Sequence, residues 1–307
     1  MRSILRTLPI FLLLWSSSAA ALLGGRIDDA GRYPSVVALG DGPNLHCSAT
    51  KIGPDRFLTA AHCVVDTSKG GLDDAFRTGQ RLFISNRVEP KVPEDLVAVT
   101  VREIRLHPSY EQALRRFYAY KESKLRDYRE RYSGEDLTRR IRALERDNHF
   151  TPRFPDVAIL LVAESTPEIP IGKVDCTPLH AGDSVEILGY GYESLKGMAL
   201  SRHMRPYGRR NRGRSQVIRV DAVNFYSYGG EMRPGSASLS PGDSGGPVLR
   251  NGRIVGVNGT VYGLSRLDMA RSNMSVNLSG LGSNSGIGCR RFFGLSSGSV
   301  SAAKSAD

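Results

Sequence analysis

The sequence predicts an all-β protein that consists of many short strands joined by tight turns. The chain of 307 residues contains 33 glycines and 16 prolines, as expected for a fold with frequent turns. Short runs that are apolar, or that alternate apolar and polar residues, recur along it and indicate strands. A hydrophobic content of 40% is enough for a sizeable core, and the length allows two compact units.

The strand candidates form two groups, which a proline-marked crossover at residues 166–170 separates. In the first half they are Tyr33–Leu39, His46–Ile52, Arg81–Ser85, Leu96–Leu106 and Asp156–Val162. In the second half they are Ser184–Leu188, Gln216–Val220, Pro247–Leu249, Arg253–Val257 and Met274–Ser279. We therefore expect one β unit in each half of the chain.

The first 21 residues have the pattern of a secretory signal peptide. Arg2 and Arg6 precede a short apolar run at residues 8–15, and small residues follow at 16–21. No later segment reaches the ~20 apolar residues that a membrane-spanning helix needs. We expect an exported protein, secreted or periplasmic, with no membrane span, whose net charge falls from +11 to about +9 on cleavage.

One segment of the first half, residues 111–150, predicts helix instead of strand. It is highly charged, and its apolar and aromatic residues recur at helical spacing over residues 111–132 and 135–146. Acids precede bases by four residues, as in the pair Glu111 and Arg115, which favours helix. We expect a helical hairpin that is either a solvated decoration or a lid beside the active site.

The stretch Pro241–Pro247 places Ser244 between glycines and after an aspartate. A serine hydroxyl is a poor nucleophile, so a catalytic serine needs a neighbouring base and donors aimed at the developing oxyanion. Glycines such as Gly242 allow consecutive N–H groups to point into one pocket. Ser244 is therefore the candidate nucleophile.

Two further motifs accompany this turn. His62 follows a small-residue run at Leu58–Ala61 and precedes Cys63, and Asp156 opens a strongly apolar run. Either residue alone would usually be structural. The order His62, Asp156, Ser244, with these flanking residues, resembles the trypsin- and chymotrypsin-like serine proteases.

That resemblance implies two antiparallel six-stranded β-barrels with the active site in the cleft between them. The N-terminal barrel would span residues 22–165 and the C-terminal barrel residues 166–294, and we expect a disordered tail at 295–307. The implied activity is endopeptidase cleavage through an acyl-enzyme. His62 would act as general base, Asp156 would orient it, and the amides of Gly242 and Ser244 would form the oxyanion hole.

Four cysteines in an exported chain suggest two disulfides, for which three pairings exist. The resemblance implies Cys47 with Cys63, around the histidine, and then Cys176 with Cys289. It implies no cofactor and no metal. Asp73 and Asp74 lie where some relatives hold calcium, but two acids are too few for a site.

Substrate preference depends on Ser238, which occupies the position that often decides the primary pocket in this family. Trypsin-like relatives have an acid there, so we expect no strict Lys/Arg preference, unless Asp268 reaches the pocket from a downstream loop. Gly259 and Gly263 are both candidates for the pocket wall. We interpret His107 as a surface loop residue.

The resemblance also implies an activation pair. After cleavage behind Ala21, the new N-terminus at Leu22 would insert beside the nucleophile and its ammonium would pair with Asp243. The partners implied are protein or peptide substrates and protein inhibitors, for a monomeric enzyme.

A second reading is a catalytically silent binding protein that uses a basic surface to hold anionic partners. Six arginines crowd residues 202–214, but Tyr207 is the single aromatic residue among them. We therefore expect a solvated loop there and no specific nucleic-acid binding.

Overall fold

The structure is a computed structural model, and it describes residues 22, 24–42, 45–146, 153–192, 208–263, 271–283 and 286–295. The expected signal peptide, the segment 147–152, residues 202–207 of the arginine-rich loop, Asp268 and the tail beyond Leu295 lie outside these residues. The domain boundaries proposed above therefore stay predictions. In the described part of the arginine-rich loop the expectation of a solvated segment is wrong, since Arg210 and Asn211 are buried. No helix among the described residues is long and apolar enough to cross a membrane.

The first half of the chain folds into a closed six-stranded antiparallel barrel. Its strands follow one another around the barrel in the order β2, β3, β4, β9, β8, β7. The nine strands of this half are β1 (Arg26–Ile27), β2 (Val36–Gly40), β3 (Leu45–Gly53), β4 (Arg56–Thr59), β5 (Val65–Asp66), β6 (Gly71–Leu72), β7 (Arg81–Ser85), β8 (Val97–Leu106) and β9 (Ala158–Val162).

The second half forms a second closed barrel, because β12 pairs with both β11 and β15. The ring runs β11, β10, β13, β14, β15, β12, and β1 adds a short seventh strand on the outer side of β11. The six strands of this half are β10 (Ser184–Gly189), β11 (Asn211–Val220), β12 (Asn224–Ser227), β13 (Pro247–Arg250), β14 (Arg253–Gly263) and β15 (Arg271–Asn277). The prediction of two six-stranded antiparallel barrels is confirmed.

The N-terminal segment crosses from one barrel to the other. Leu22 is fully buried in the core of the second barrel, whereas β2 belongs to the first. Between them, the carboxylate of Asp28 forms a buried ion pair with Arg210, 3.0 Å away. Arg210 also donates to the carbonyl of Asn86 in the first barrel, so one guanidinium holds the N-terminal segment and both barrels together.

The charged segment forms a helical hairpin, α1 (Pro108–Arg131) and α2 (Gly134–Arg146). Four ion pairs in which an acid precedes a base by four residues are present along it: Glu111–Arg115 at 2.6 Å, Glu122–Arg126 at 4.0 Å, Asp127–Arg131 at 2.7 Å and Asp136–Arg140 at 3.1 Å. Glu135 and Arg139 have the same spacing, but Arg139 pairs with Asp136 instead.

The base of α1 differs from expectation in two ways. Tyr110, Ala113 and Leu114 belong to the core of the first barrel, so this part of the hairpin is not an external decoration. His107 was expected on the surface, but it is fully buried: its Nδ1 lies 2.8 Å from the hydroxyl of Ser109 and its ring packs on Phe292. Pro108 starts the helix directly after it, and this buries the histidine beneath the first turn.

The structure joins Cys47 to Cys63 and Cys176 to Cys289, the two pairs that the family resemblance implies. The second bridge anchors a short helix, α3 (Cys289–Phe293), against the first barrel. After β15 a 3₁₀ turn forms at Leu278–Ser283, in which Leu278 and Leu281 are buried in the core.

Candidate active site

Two neighbouring strands of the first barrel bring His62 and Asp156 together. β4 and β9 are paired, with Thr59 opposite Ala158. His62 lies in the 3₁₀ turn just after β4 and Asp156 lies two residues before β9, so both side chains reach the same end of the pair. Nδ1 of His62 is 2.6 Å from Oδ2 of Asp156, and Oδ1 accepts the backbone N–H of His62 at 2.8 Å.

The environment of His62 sets its proton affinity. Burial disfavours the charged imidazolium and lowers the pKa, but the negative charge of Asp156 and its hydrogen bond outweigh burial. The net effect raises the pKa of His62 above its ordinary value of 6.5. With Nδ1 donating to the carboxylate, the Nε2 atom carries the basic lone pair in the neutral ring.

Ser244 lies on the turn that precedes β13 of the second barrel. Its carbonyl accepts the N–H of Ser48 in the first barrel at 2.8 Å, and Gly245 N donates to Asn258 O at 2.9 Å. The turn is thus held from both barrels. In this structure Oγ of Ser244 donates to the carbonyl of Gly259 at 3.1 Å, so the hydroxyl must rotate before it can donate to His62.

The amides of Gly242 and Ser244 have the features of an oxyanion hole. Gly242 has a φ of +99°, which side-chain-bearing residues rarely adopt, and its carbonyl accepts the hydroxyl of Ser48 at 2.7 Å. That bond fixes the plane of the Gly242–Asp243 peptide, which lies between the two amides. Within the described chain neither Gly242 N nor Ser244 N donates to another residue, and both residues line the same cavity as His62.

Asp243 is fully buried beneath this loop. Oδ1 accepts the N–H of Gly191 at 2.8 Å, and Oδ2 accepts the N–H of Ser240 at 2.8 Å and its hydroxyl at 3.0 Å. Burial raises the pKa of Asp243 to about 7, against the opposing effect of these hydrogen bonds. The other member of the expected activation pair, Leu22, packs with Ala237 and Leu239 in the same barrel.

The segment that carries Ser238 is held by groups that the sequence did not single out. Ser238 is buried, and its hydroxyl accepts the N–H of Gly230 at 2.8 Å. Asn273 on β15 accepts the N–H of Leu239 at 2.8 Å and donates to Ala237 O at 2.8 Å. In the sequence, the one signal for this role of Asn273 is that it is a polar residue directly before the predicted strand Met274–Ser279.

The candidate wall residues Gly259 and Gly263 both belong to β14. The carbonyl of Gly259 faces Ser244, as described, whereas Gly263 ends the strand. Asp268 lies outside the described residues.

A cavity of about 360 Å³ opens beside the candidate triad. Its walls include His62, Gly242 and Ser244, and also Asp41 and Asp73.

Cys47, His62 and Cys63 offer three potential metal-ligand atoms within 4.8 Å of one another. However, both sulfurs belong to one disulfide, so they lack the thiolate character that metal ligation requires. Asp74 forms ion pairs with Lys69 and Arg77, and unlike Asp73 it does not line the cavity.

Comparisons with known proteins agree with this arrangement. The model of the trypsin-like peptidase domain matches residues 47–257. Among solved structures, neuropsin, a serine protease expressed in the limbic system of mouse brain, superposes with a TM-score of 0.51 at 14% identity, covering 84% of this chain and 95% of that one. At this low sequence identity, the superposition shows only that the two proteins share a fold. The search of curated proteins returned no match. The family model spans more than half of the sequence and contains His62, Asp156 and Ser244, and the chain therefore belongs to the trypsin-like peptidase family.

Proposed function

We propose that this protein is an exported serine endopeptidase that cleaves peptide bonds through an acyl-enzyme. The observation that carries the proposal is the 2.6 Å contact of His62 with Asp156, on the wall of the cavity that Ser244 also lines. This is the set of groups that nucleophilic catalysis by a serine needs.

In the proposed mechanism the hydroxyl of Ser244 turns from Gly259 O to Nε2 of His62. His62 takes its proton as Oγ attacks the substrate carbonyl, and Asp156 stabilises the resulting imidazolium. The amides of Gly242 and Ser244 donate to the oxyanion. His62 then protonates the leaving amine, and a water molecule releases the acyl group by the same steps.

Export is supported by the signal-like N-terminus and by the two disulfides, since such bonds persist in oxidising compartments. The position proposed for the acyl-side pocket is Ser238, which offers a hydroxyl where trypsin-like relatives have a carboxylate. An arginine or lysine there would bury a cation without an anionic partner, which is costly. Small or apolar residues before the scissile bond are therefore the proposed substrates.

We also propose that cleavage before Leu22 activates the enzyme, and the backbone of Leu22 supports this. Of the described residues, Leu22 and Asn251 are the two non-glycines with positive φ, and Leu22 has φ of 53°. This is an unfavourable angle for a bulky side chain. The angle φ exists only while Ala21 is attached, so cleavage before Leu22 removes the strain and frees an ammonium for the buried Asp243.

Labelling with a fluorophosphonate tests the proposal. Processed protein should incorporate one label at Ser244, and Ser244→Ala should incorporate none. Ser279→Ala, a change in the 3₁₀ turn after β15 and outside the cavity that Ser244 lines, is the matched control and should label fully. His62→Ala should also lose labelling and lower kcat about 10⁴- to 10⁶-fold, with no further loss in the double variant because the residues act as one unit.

Normal turnover by either single variant would exclude this mechanism. A folded wild-type protein that takes no label would favour a silent binding protein instead.

A further inference from the structure

The cavity beside Ser244 has a composition that the proposed reaction does not by itself require. It has an apolar wall, formed by Val65 and the buried ring of Phe76. It also has two carboxylates, Asp41 and Asp73. An apolar wall with acids at its rim complements a side chain that has a methylene stem and a cationic head, namely lysine or arginine.

The position of the cavity identifies which side of the substrate would occupy it. Ser238 and Gly259, the residues proposed for the acyl side of the scissile bond, line none of it. His62, which must protonate the leaving amine, does line it. The chain that enters the cavity is therefore the one that follows the scissile bond.

The charges of the surrounding loop leave Asp73 available. The next residue, Asp74, pairs with Lys69 at 2.5 Å and with Arg77 at 2.8 Å. Asp73 has no cation within ion-pair distance among the described residues. Its Oδ1 accepts the N–H of Ala75 at 2.9 Å, which fixes the side chain at the start of a 3₁₀ turn.

Asp41 lies on the other side of the cavity, at the turn between β2 and β3. Its nearest charged partner is His46, whose Nδ1 is 3.9 Å from Oδ1 and which carries a charge only when protonated. The cavity thus presents two carboxylates in a protein with a net charge of +11. His46 and His62 also line the cavity, and while their imidazoles are neutral the lining carries a net negative charge that favours a cationic ligand.

We propose that Asp41 and Asp73 form a specificity site for lysine or arginine within the first two residues after the scissile bond. This inference rests on the proposed function, since it names the substrate side chain that the same active site selects. It is independent of the acyl-side preference, because Ser238 does not line this cavity.

Partitioning of the acyl-enzyme measures this preference directly. An ester with a fixed acyl group acylates Ser244, and added peptide amides compete with water for the acyl group. The amine of the added peptide attacks the ester carbon, the C–N bond forms as the C–Oγ bond breaks, and the amine's proton passes through His62 to Oγ. Because the acyl group is fixed, the competing peptides differ only in the residues that bind on the leaving-group side of the active site.

The nucleophiles are Arg-Gly, Gly-Arg, Gln-Gly, Gly-Gln, Glu-Gly and Gly-Glu amides. With the wild-type protein we expect an arginine peptide to be captured about tenfold better than its glutamine counterpart, the scale of two partly exposed ion pairs. The glutamate peptides should be captured least. Asp73→Asn and Asp41→Asn should each reduce the arginine preference about threefold, and the double variant should abolish it.

Asn retains the oxygen that accepts Ala75 N–H, so Asp73→Asn preserves the turn. Asp74→Asn removes one negative charge from the same loop outside the cavity, and it should leave both the partitioning ratio and ester hydrolysis unchanged. Equal capture of arginine and glutamine peptides during brisk ester hydrolysis would overturn this inference while leaving the proposed function intact. An equal loss of preference in Asp74→Asn and Asp73→Asn would overturn it as well. Absence of any ester hydrolysis would instead refute the proposed function.

Discussion

His62 is the residue whose proton affinity governs the proposed chemistry. Its pKa is raised because the charge and hydrogen bond of Asp156 outweigh burial. Only the neutral imidazole can act as base, so kcat/KM should rise with pH through an inflection above 6.5. In Asp156→Asn both raising causes are gone and burial remains, so the inflection should move down and kcat should fall about 10⁴-fold.

The raised pKa of His62 also makes the stability of the fold depend on pH. Because the folded pKa of His62 lies above its unfolded value, the His62–Asp156 interaction stabilises the fold fully below pH ~6.5. This contribution is lost as pH rises through the folded pKa. The pH dependence of Tm, compared between wild type and Asp156→Asn, measures it, and identical profiles would contradict the assignment.

Ser238 gives a prediction on acyl-side specificity. Substrates with an apolar or small residue before the scissile bond should outpace those with arginine, and Ser238→Asp should reverse the order by supplying the missing partner charge. A series of peptides that differ at this one position measures it by kcat/KM. Dominant cleavage after arginine by the wild type would contradict it and would point to Asp268.

At the scale of elements, the helical hairpin has two parts with different roles. Its base is core: Ala113 and Leu114 are buried against the first barrel. Farther along, Tyr118 packs so closely on Gly70 that a Cβ there would lie 2.4 Å from the tyrosine Cβ. Gly70 belongs to the loop between His62 and Asp73, so α1 supports the leaving-group side of the cleft.

Beyond this contact the hairpin is held mostly by its own side chains. Lys121 lies over the ring of Phe117 at 4.6 Å and donates to Glu145 O, and Arg140 stacks on Tyr132 at 3.8 Å. Such contacts stabilise the hairpin without adding to the barrel core. The tip can therefore be removed separately from the base.

Deletion of residues 123–143, closed by a short glycine linker, should leave the barrels folded. If the hairpin is a lid, turnover of long substrates should change more than turnover of short ones, because long chains extend past the cleft. As a control, Leu114→Ala should cost about 2–5 kcal/mol in the free energy of unfolding, since it opens a cavity in the core. Unfolding of the tip deletion, or equal kinetics on both substrate classes, would contradict the lid hypothesis.

At the scale of the whole molecule, the N-terminal segment is linked to both barrels and to the loop that carries Gly242 and Ser244. Asp28 pairs with Arg210, and Arg210 donates to the hydroxyl of Tyr190 at 3.4 Å. The backbone N–H of Tyr190 donates to the hydroxyl of Ser48 at 3.0 Å. Ser48 in turn holds Gly242 O. A chain of hydrogen bonds thus runs from the N-terminal segment to Gly242 of the proposed oxyanion hole.

The activation hypothesis makes a prediction at this scale. A protein that begins at Leu22 should be active, and one with a single extra residue before Leu22 should lose most of its activity with little change in fold. Asp243→Asn should have the same effect on the processed protein. The paired amine should have a pKa raised above ~7.7–8.0, so activity that depends on it is full below that range and fades as pH rises through the folded value.

N-terminal sequencing beside active-site titration tests this prediction. Full activity in a protein whose N-terminus is blocked, or begins elsewhere, would contradict it.

Local patterns in the sequence were sufficient for ten of the described strands, for the helical hairpin and for the three motifs with His62, Asp156 and Ser244, but they missed β4 and β12, which complete the two barrels. Each depends on neighbouring residues: strand alternation, helical spacing, or a nucleophile among glycines. The tertiary structure alone decided which distant groups meet. Asp28 and Arg210, which form a buried ion pair, are 182 residues apart in the chain. Asn273 holds the segment at Ser238, and Asp73 lines the cavity of Ser244, only because the fold brings these distant segments together. The burial of His107 and the acidic cavity beside Ser244 likewise depend on packing between segments, which no local pattern records.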